Sequence, residues 1–162
     1  MARFLTAIAL TLLLLPVAAT QAAALNFGGQ LVYGDDADVG IGGRLEVPTP
    51  DLHEDTRLEA DFNWYFPEDP PGGDTSFWEI NLNWLSNVGD PTGEARFHIG
   101  GGLNLARASV DFDGGGDDSS TDLGVNFLGG AVVPVGVLDL LAEVRITIGG
   151  SEQYTIGVGV LF

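Results

Sequence analysis

The stretch that decides the fold is the end of the chain, Glu152-Gln-Tyr-Thr-Ile-Gly-Val-Gly-Val-Leu-Phe162. Every second position from Tyr154 to Phe162 is apolar, and the positions between them are polar or small, apart from Leu161. A period of two is that of a β-strand, whose successive side chains point to opposite faces. A strand of this kind needs a partner on each edge and an apolar environment on one side. The stretch therefore predicts the closing strand of a small membrane β-barrel.

Residues 1–24 have the pattern of a secretory signal peptide. A positive residue precedes the apolar run Phe4–Leu15, and small residues then lead to an Ala22-x-Ala24 motif. This order is typical of a cleaved export signal. A membrane-anchor helix is the alternative, but the apolar run is shorter than the ~20 residues that a helical span requires. We predict cleavage after Ala24 or Ala22, which leaves residues 25–162 as the outer-membrane barrel.

Composition excludes several classes of function. The 162-residue chain carries 23 acidic residues against 6 basic ones, all of them arginine, and its net charge is −17. Such acidity argues against nucleic-acid binding, which requires a basic surface. The chain has no cysteine, so disulfides, thiol chemistry and most structural zinc sites are excluded. Nothing in the sequence indicates a cofactor.

Cutting the chain at clusters of Gly, Pro and Asp predicts an antiparallel barrel of eight strands. The strands are Leu25–Gly34, Val39–Val47, Arg57–Phe66, Ser76–Ser86, Ala95–Val110, Thr121–Val133, Val137–Ile148 and Glu152–Phe162. Most are close to the ~9–11 residues of a strand that crosses a membrane in a barrel. The fifth and sixth are longer and contain Gly100–Gly102 and Gly129–Gly130, where we expect bulges or bends.

Charged residues occupy the polar face of these strands, and their positive and negative charges nearly balance. They are Arg44, Glu46, Arg57, Glu59, Asp61, Glu79, Arg96, Glu143 and Arg145. A soluble barrel would also alternate, with its apolar face inward, but a solvent-facing polar surface does not need balanced charges. An enclosed lumen does, because each buried charge needs a partner. The interior of an eight-stranded barrel is just filled by side chains, so we predict a structural plug, with a gated ion path as the alternative.

Aromatic residues gather near the strand ends, as expected for girdles at two membrane interfaces. One rim comprises Tyr33, Trp64, Phe66, Phe77, Trp78 and Tyr154, and the other Phe27, Trp84, Phe97 and Phe162. Arg107 falls on the apolar phase near the outer end of the fifth strand. Either a bulge turns it inward, or it reaches the lipid head groups.

The predicted external loops are acidic, and one of them partly resembles a calcium-binding loop. In the segment that begins at Asp111, acids occupy positions one, three, seven and twelve, namely Asp111, Asp113, Asp117 and Asp122. However, position five is Gly115, and strands rather than helices flank the segment. A solvated, mobile acidic loop at Asp111–Ser120 is the favoured interpretation. We also hypothesise that divalent cations bridge the carboxylates of the predicted external loops to lipopolysaccharide phosphates.

Catalytic residues are not evident. His98 lies on the lumen-facing side of its predicted strand, and no serine lies at a spacing that would place it beside the imidazole. His53 lies in an internal turn. A hydrolase would need a nucleophile, a base and an orienting group together. We therefore predict a protein that is not an enzyme and read His98 as a satisfied polar group of the lumen.

The quoted features resemble a known family. Phe97–Arg107, Leu138–Arg145 and Gly157–Phe162 look like strands of the small eight-stranded outer-membrane barrels of the OmpA/OmpX type. The resemblance implies an all-β, transmembrane up-and-down barrel in the outer membrane of a Gram-negative envelope. It also implies that Phe162 matches the carboxy-terminal aromatic residue read by the barrel-assembly machinery during biogenesis.

These features together predict a structural or interaction role in the cell envelope, with acidic surface loops in contact with outer-membrane lipid and lipopolysaccharide. A small channel or a hydrophobic-ligand conduit is the alternative. A lipid-modifying barrel enzyme fits the sequence less well, as does a soluble ligand-binding barrel of the periplasm.

Overall fold

The computed structural model describes residues 25–90, 94–150 and 152–162. The predicted signal peptide lies outside the described residues. Eight strands are present: β1 (Asn26–Gly34), β2 (Asp38–Pro48), β3 (Thr56–Tyr65), β4 (Gly73–Val88), β5 (Arg96–Phe112), β6 (Asp117–Val135), β7 (Leu138–Ile148) and β8 (Gln153–Leu161). Within the described ranges, no helix is long and apolar enough to cross a membrane.

The strands form a closed antiparallel barrel in sequence order. Each strand pairs with its neighbours in the chain, and β1 pairs with β8 to close the barrel. The closure continues one residue past β8, because the Phe162 amide donates to the Phe27 carbonyl at 2.8 Å. Their rings also stack, with centroids 5.4 Å apart. Closure leaves the barrel without open edges, and the predicted fold class is confirmed.

Alternation places apolar side chains outside and polar side chains inside. On the exterior, Leu31, Val144 and Ile156 are each 57% exposed. On the interior, Asn63, Asn81 and their neighbours are fully buried. An apolar exterior around a polar interior is the arrangement expected of a barrel that faces lipid. Phe77 is an exception to the predicted girdle, because its ring packs inward against Tyr65 with centroids 5.3 Å apart.

The glycine runs in β5 and β6 are not bulges. Both strands keep an uninterrupted register with their neighbours through Gly100–Gly102 and Gly129–Gly130. Inward-facing Gly102 shows what a glycine does here. A Cβ at this position would lie 2.0 Å from the Leu82 carbonyl oxygen and 2.4 Å from Asn83 Oδ1. Glycine therefore makes room for the neighbouring strand and its buried amide.

Strands β4, β5 and β6 continue past the rest of the barrel at one end. Pairing of β3 with β4 stops at Tyr65–Phe77, and pairing of β6 with β7 stops at Val125–Ile148. Beyond these pairs, residues 73–76, 109–112 and 117–120 form a three-stranded sheet, here called the extended sheet. The loop predicted at Asp111–Ser120 is therefore mostly strand, and only residues 113–116 connect β5 to β6. We call this end of the barrel the extended end.

The opposite end, called the terminal end, holds Asn26 and Phe162 together with the β2–β3, β4–β5 and β6–β7 connections. The lumen thus has two distinct mouths. Most of the charged residues that the sequence placed on the polar phase lie between them, on strands β2, β3, β4 and β7, whereas Arg96, at the start of β5, lies at the terminal end.

Candidate functional site: the barrel lumen

Arg44 on β2 joins three strands through carboxylates. Its Nη2 lies 2.7 Å from Glu143 Oε1 on β7, and its Nε lies 3.2 Å from Glu59 Oε1 on β3. Glu46, two residues along the same strand, is 4.0 Å from Nη1. All of these side chains are buried. Arg44 therefore connects opposite walls of the barrel through charge-assisted hydrogen bonds.

Arg145 on β7 forms a second centre nearer the extended end. Its Nη2 lies 2.5 Å from Asp61 Oδ2 and 3.2 Å from Glu143 Oε1, and its Nη1 lies 3.4 Å from Glu79 Oε1. Glu143 contacts both this arginine and Arg44. One carboxylate thus links the two arginine centres into a single buried network.

Two predicted members of the network lie near the terminal end. Arg57 Nε is 2.9 Å from Glu46 Oε2, and the Arg57 side chain is 11% exposed. Arg96 pairs with Asp139 instead, and its side chain is 46% exposed. The structure therefore brings Arg57 into contact with the network and leaves Arg96 at the mouth, where an ion pair contributes little because water screens it.

Carboxylates outnumber arginines inside the lumen, the more so because Arg96 lies at the mouth, and buried amides supply further donors. The Nδ2 atom of Asn83 donates to Glu59 Oε2 at 2.6 Å, and that of Asn81 donates to Asp61 Oδ1 at 2.9 Å. Asn104 Nδ2 donates to Glu79 Oε2 at 3.0 Å. The amides thus satisfy Glu59 Oε2 and Glu79 Oε2, which have no guanidinium contact among the described residues, and share Asp61 Oδ1 with Arg145 Nη1 at 3.5 Å.

The amides also bond to one another and to side chains nearer the extended end. Asn126 Nδ2 lies 2.8 Å from Asn81 Oδ1, and Asn63 Nδ2 donates to Asp61 at 2.6 Å. Tyr65 donates its hydroxyl to Glu79 at 2.9 Å. The network predicted from the sequence did not include these amides. The sequence did contain a sign of their role, because they lie on the same strand face as the charged residues. On β4, for example, Glu79 and its amide neighbours occupy every second position.

His98 belongs to the same network. Its Nε2 lies 3.1 Å from Glu143 Oε2, and the residue is 2% exposed. Inward-facing Gly130 makes room for the ring, since a Cβ there would lie 2.8 Å from His98 Nε2. The other histidine, His53, lies in the β2–β3 turn at the terminal end.

Apolar clusters lie inside the barrel on each side of the polar network. At the extended end, Val32, Ala37 and Tyr65 are buried together, with Phe77 packed against them. At the terminal end the cluster comprises Val132, Leu141 and Leu161. Of the buried positions in the two clusters, only Leu161 was singled out from the sequence, as an exception to the alternation.

Cavities inside the described barrel are larger at the mouths than in the middle. A cavity of about 180 Å³ at the terminal end is lined by Glu46, Arg57 and Arg96, among others. Another of about 420 Å³ at the extended end touches Phe77 and Gln153. The cavity beside Glu143 and Arg145 has only about 10 Å³, roughly the space of one water molecule.

The sequence-predicted cation ligands are spread along one hairpin. Asp111 and Asp117 are direct cross-strand partners, and Asp113 follows in the connection. Asp122 pairs with Ala106 further down β6. In the described parts of the chain, no group of three or more His, Asp or Glu side chains is arranged to hold a metal ion.

Comparisons with known proteins bear on the fold. No protein-family model and no curated protein matches the sequence. Among solved structures, Neisserial surface protein A aligns at 21% identity with a TM-score of 0.60, over 85% of this chain and 92% of that one. The N-terminal β-barrel domain of Pseudomonas aeruginosa OprF aligns at 15% identity and 0.65, over 85% and 96%. Ail, the attachment invasion locus protein of Yersinia pestis, aligns at 12% and 0.50, over 85% and 95%.

At these identities the likeness concerns the fold. The similar structures agree with the eight-stranded closed barrel described above. The chain therefore has the fold of the small eight-stranded outer-membrane barrels of the OmpA/OmpX type.

Proposed function

We propose that the protein is an exported outer-membrane barrel with a closed lumen, which serves the envelope as a structural and surface-contact protein. It neither conducts solutes nor catalyses a reaction. The observation that carries this proposal is the content of the lumen. The buried network centred on Arg44 and Arg145 lies between the two apolar clusters.

Each part of this arrangement opposes the passage of water and ions. The arginines, carboxylates and amides bond to one another across the barrel, so an ion would have to displace these contacts to pass. The cavity beside Glu143 and Arg145 has only about 10 Å³. Apolar constrictions, such as the cluster of Val132, Leu141 and Leu161, favour dewetting.

Conductance tests the closed lumen. The chain without its first 24 residues is refolded and added to a planar lipid bilayer, with a porin prepared in the same way as the positive control. We expect no unitary current steps above the baseline of the empty bilayer. Reproducible steps with the wild-type chain would exclude a closed lumen and favour the small-channel alternative.

The exterior supports placement in the membrane. Its exposed apolar residues are flanked by aromatic residues near both ends, including Tyr33 and Trp64 at one and Trp84 and Phe97 at the other. Export through the predicted signal peptide, and recognition of Phe162 by the barrel-assembly machinery, complete the proposal. Cell fractionation and heat-modifiable migration on gels test it. A soluble periplasmic protein that migrates identically with and without heating would contradict it.

The extended end is proposed to face the outside of the cell. It carries rows of carboxylates, including the cross-strand partners Asp74, Asp111 and Asp117. We propose that divalent cations reduce the repulsion between these groups and bridge them to lipopolysaccharide phosphates. The thermal midpoint of the protein in lipopolysaccharide-containing vesicles should rise with Mg²⁺ and fall with EDTA. An unchanged thermal midpoint would contradict the proposal that divalent cations bridge the carboxylates to lipopolysaccharide.

An enzymatic role gains little support from the buried histidine. His98 contacts Glu143 inside the packed network, and only 2% of the residue is exposed. A substrate would have to displace buried ion pairs to reach it. Activity of the purified protein on lipid A that is lost in His98→Ala would contradict this part of the proposal.

A further inference from the structure

Arg107 lies at the base of the extended sheet, on the outer face of the barrel wall. Its direct cross-strand partners are Trp78 on β4 and Thr121 on β6, and the residue is exposed. The register is continuous through this row, so no bulge turns the side chain inward. Of the two orientations open from the sequence, the structure has the one that points away from the lumen.

The row is a boundary between two kinds of surface. On the barrel side lies the apolar row Ile80–Leu105–Leu123, in which Leu123 is 73% exposed. On the other side lie the serine row Ser76–Ser109–Ser119 and then the carboxylate row Asp74–Asp111–Asp117. Arg107 and Trp78 thus occupy the level at which the exterior changes from apolar to polar. Tryptophan is enriched at such interfaces in membrane proteins.

Arg107 differs from the other arginines in its partners. Arg44, Arg57, Arg96 and Arg145 each contact at least one carboxylate. Arg107 has no Asp or Glu partner among the described residues and contacts hydroxyl groups instead. Its Nη1 donates to Thr121 Oγ1 at 3.2 Å, and its Nη2 donates to Ser119 Oγ at 3.3 Å. In a chain of net charge −17, this leaves the Arg107 guanidinium available to an outside anion.

The chemistry of this group suits a phosphate. A guanidinium has five N–H donors in a planar fork, and the two contacts to hydroxyls leave several of them free. Arginine binds phosphate oxygens bidentately, and neighbouring hydroxyls can add further hydrogen bonds. Ser76 and Ser109, hydrogen-bonded to each other at 2.7 Å, extend the hydroxyl surface away from the membrane.

The surroundings favour a lipid over a free anion as the source of that phosphate. An anion that approaches from water would meet the carboxylate row Asp74–Asp111–Asp117 and be repelled. A lipid approaches laterally, with its acyl chains on the exposed apolar row that contains Leu123 and its phosphate beside Arg107. We propose that Arg107, with Ser119 and Thr121, binds the phosphate of a membrane lipid at head-group level. The inference rests on the membrane placement proposed above.

The test measures lipid retention directly. The refolded wild-type chain is inserted into phosphatidylcholine vesicles that contain either bisphosphorylated lipid A or the same lipid without phosphates. After extraction in detergent with EDTA, native mass spectrometry counts the lipid A molecules that remain bound. EDTA removes cation bridges to the acidic rows, so a direct arginine contact is what remains. We expect about tenfold less retention without the phosphates, the size of effect that one charge-assisted contact gives.

Variants identify the residue. Arg107→Gln should lower retention of bisphosphorylated lipid A to the level of the dephosphorylated lipid, and Arg107→Lys should be intermediate because it keeps the charge without the fork. Arg96→Gln, at the terminal end, is the matched control and should retain lipid A as the wild type does. Equal retention by Arg107→Gln and wild type would overturn the inference.

Other outcomes are equally decisive. Equal retention of the two lipids by the wild type overturns phosphate recognition, and this comparison needs no variant to fold. Release of lipid A by millimolar inorganic phosphate would identify a site for free anions and would contradict the claim that the bound phosphate belongs to a lipid. Heat-modifiable migration is checked first. A wild-type chain that does not insert into vesicles contradicts the membrane placement and the inference together, whereas normal insertion with unchanged retention contradicts the inference alone.

Discussion

The lumen and the extended sheet use the same residue types in opposite ways. In the lumen, Arg44 and Arg145 lie 2.5–3.4 Å from their nearest carboxylates, and amides supply further donors. In the extended sheet, carboxylates lie beside carboxylates across three strands, as in the row that includes Asp111. Arg107, at its base, contacts hydroxyls.

The difference follows from access to water. A buried charge without a partner costs several kcal/mol, so the lumen pairs its charges closely. A charge in water costs little, so like charges can stand side by side in the extended sheet and repel only weakly. Removing one partner of a pair is therefore costly in the lumen, whereas charge in the extended sheet governs what the protein can contact.

The largest expected effect comes from removing a central arginine. Arg145→Ala leaves Asp61, Glu79 and Glu143 without a shared cation and should lower the free energy of unfolding by about 3–5 kcal/mol. Urea titration of the refolded protein in lipid vesicles measures it. Arg96→Ala is the control, because its pair with Asp139 is partly exposed and should be worth at most ~1 kcal/mol. Similar losses for the two variants would contradict the distinction between lumen and surface charges.

The apolar cluster at the terminal end should give the next largest effect. Leu141→Ala removes a side chain packed with Val132 and Leu161 and should cost about 2–4 kcal/mol of unfolding free energy. Val137→Ala, at a position that is 93% exposed, is the matched control and should change little. If both variants unfold at the wild-type urea concentration, the cluster does not contribute to stability.

A smaller loss of stability is expected at Gly102, where the absence of a side chain makes room for a buried amide. Gly102→Ala would place a methyl group 2.0 Å from the Leu82 carbonyl oxygen and should cost about 1–3 kcal/mol through overpacking. At Gly114, in the β5–β6 connection, a Cβ meets nothing within 4 Å, so Gly114→Ala should be nearly neutral. Thermal midpoints of the two variants in the same lipid vesicles compare these effects. A larger loss at Gly114 would refute the packing argument.

The smallest effect on stability is expected at the closing aromatic residue. Deleting Phe162 removes a ring stacked on Phe27 and a backbone bond of 2.8 Å, so we expect a loss of about 1 kcal/mol. Insertion in cells should fall much further, because the proposed assembly signal is lost. Pulse-labelled cells followed by fractionation give the insertion rate. Normal insertion of the truncated chain would count against the signal and against the interpretation of the closing strand.

Alternation in the sequence predicted the strand number and the closed antiparallel order. It worked because a period of two assigns every residue of a strand to one face once the lipid side is known. For the lumen, the predicted network comprised charged side chains and did not include the buried amides. The β5–β6 hairpin was predicted as a loop from Asp111 to Ser120 because Asp, Ser and Gly have low strand propensity. Pairing across three strands overrides that propensity, as the register from Asp111–Asp117 downwards shows.

Two other features could not be read from one strand at a time. The apolar clusters are formed mainly by residues on the lumen-facing side of their strands, such as Leu141 and Leu161. Their packing cannot be predicted without knowing which residues of other strands they contact. The glycines of β5 were predicted to form bulges or bends, but Gly102 lies in a regular ladder without a bulge and makes room for Asn83. In both cases the decisive contact is made by a residue on another strand.

The central claim is that lipid surrounds the barrel and that its lumen is closed to water. The chain has no cysteine, so single cysteines report directly on both. Thr155→Cys lies in the lumen, Ile156→Cys on the exterior and Ser120→Cys on the extended sheet; the native residues are 4% exposed, 57% exposed and exposed, respectively. In vesicles, a membrane-impermeant maleimide should label Ser120→Cys rapidly and leave the other two unmodified until urea is added. Labelling of Thr155→Cys or Ile156→Cys as fast as Ser120→Cys would contradict the account.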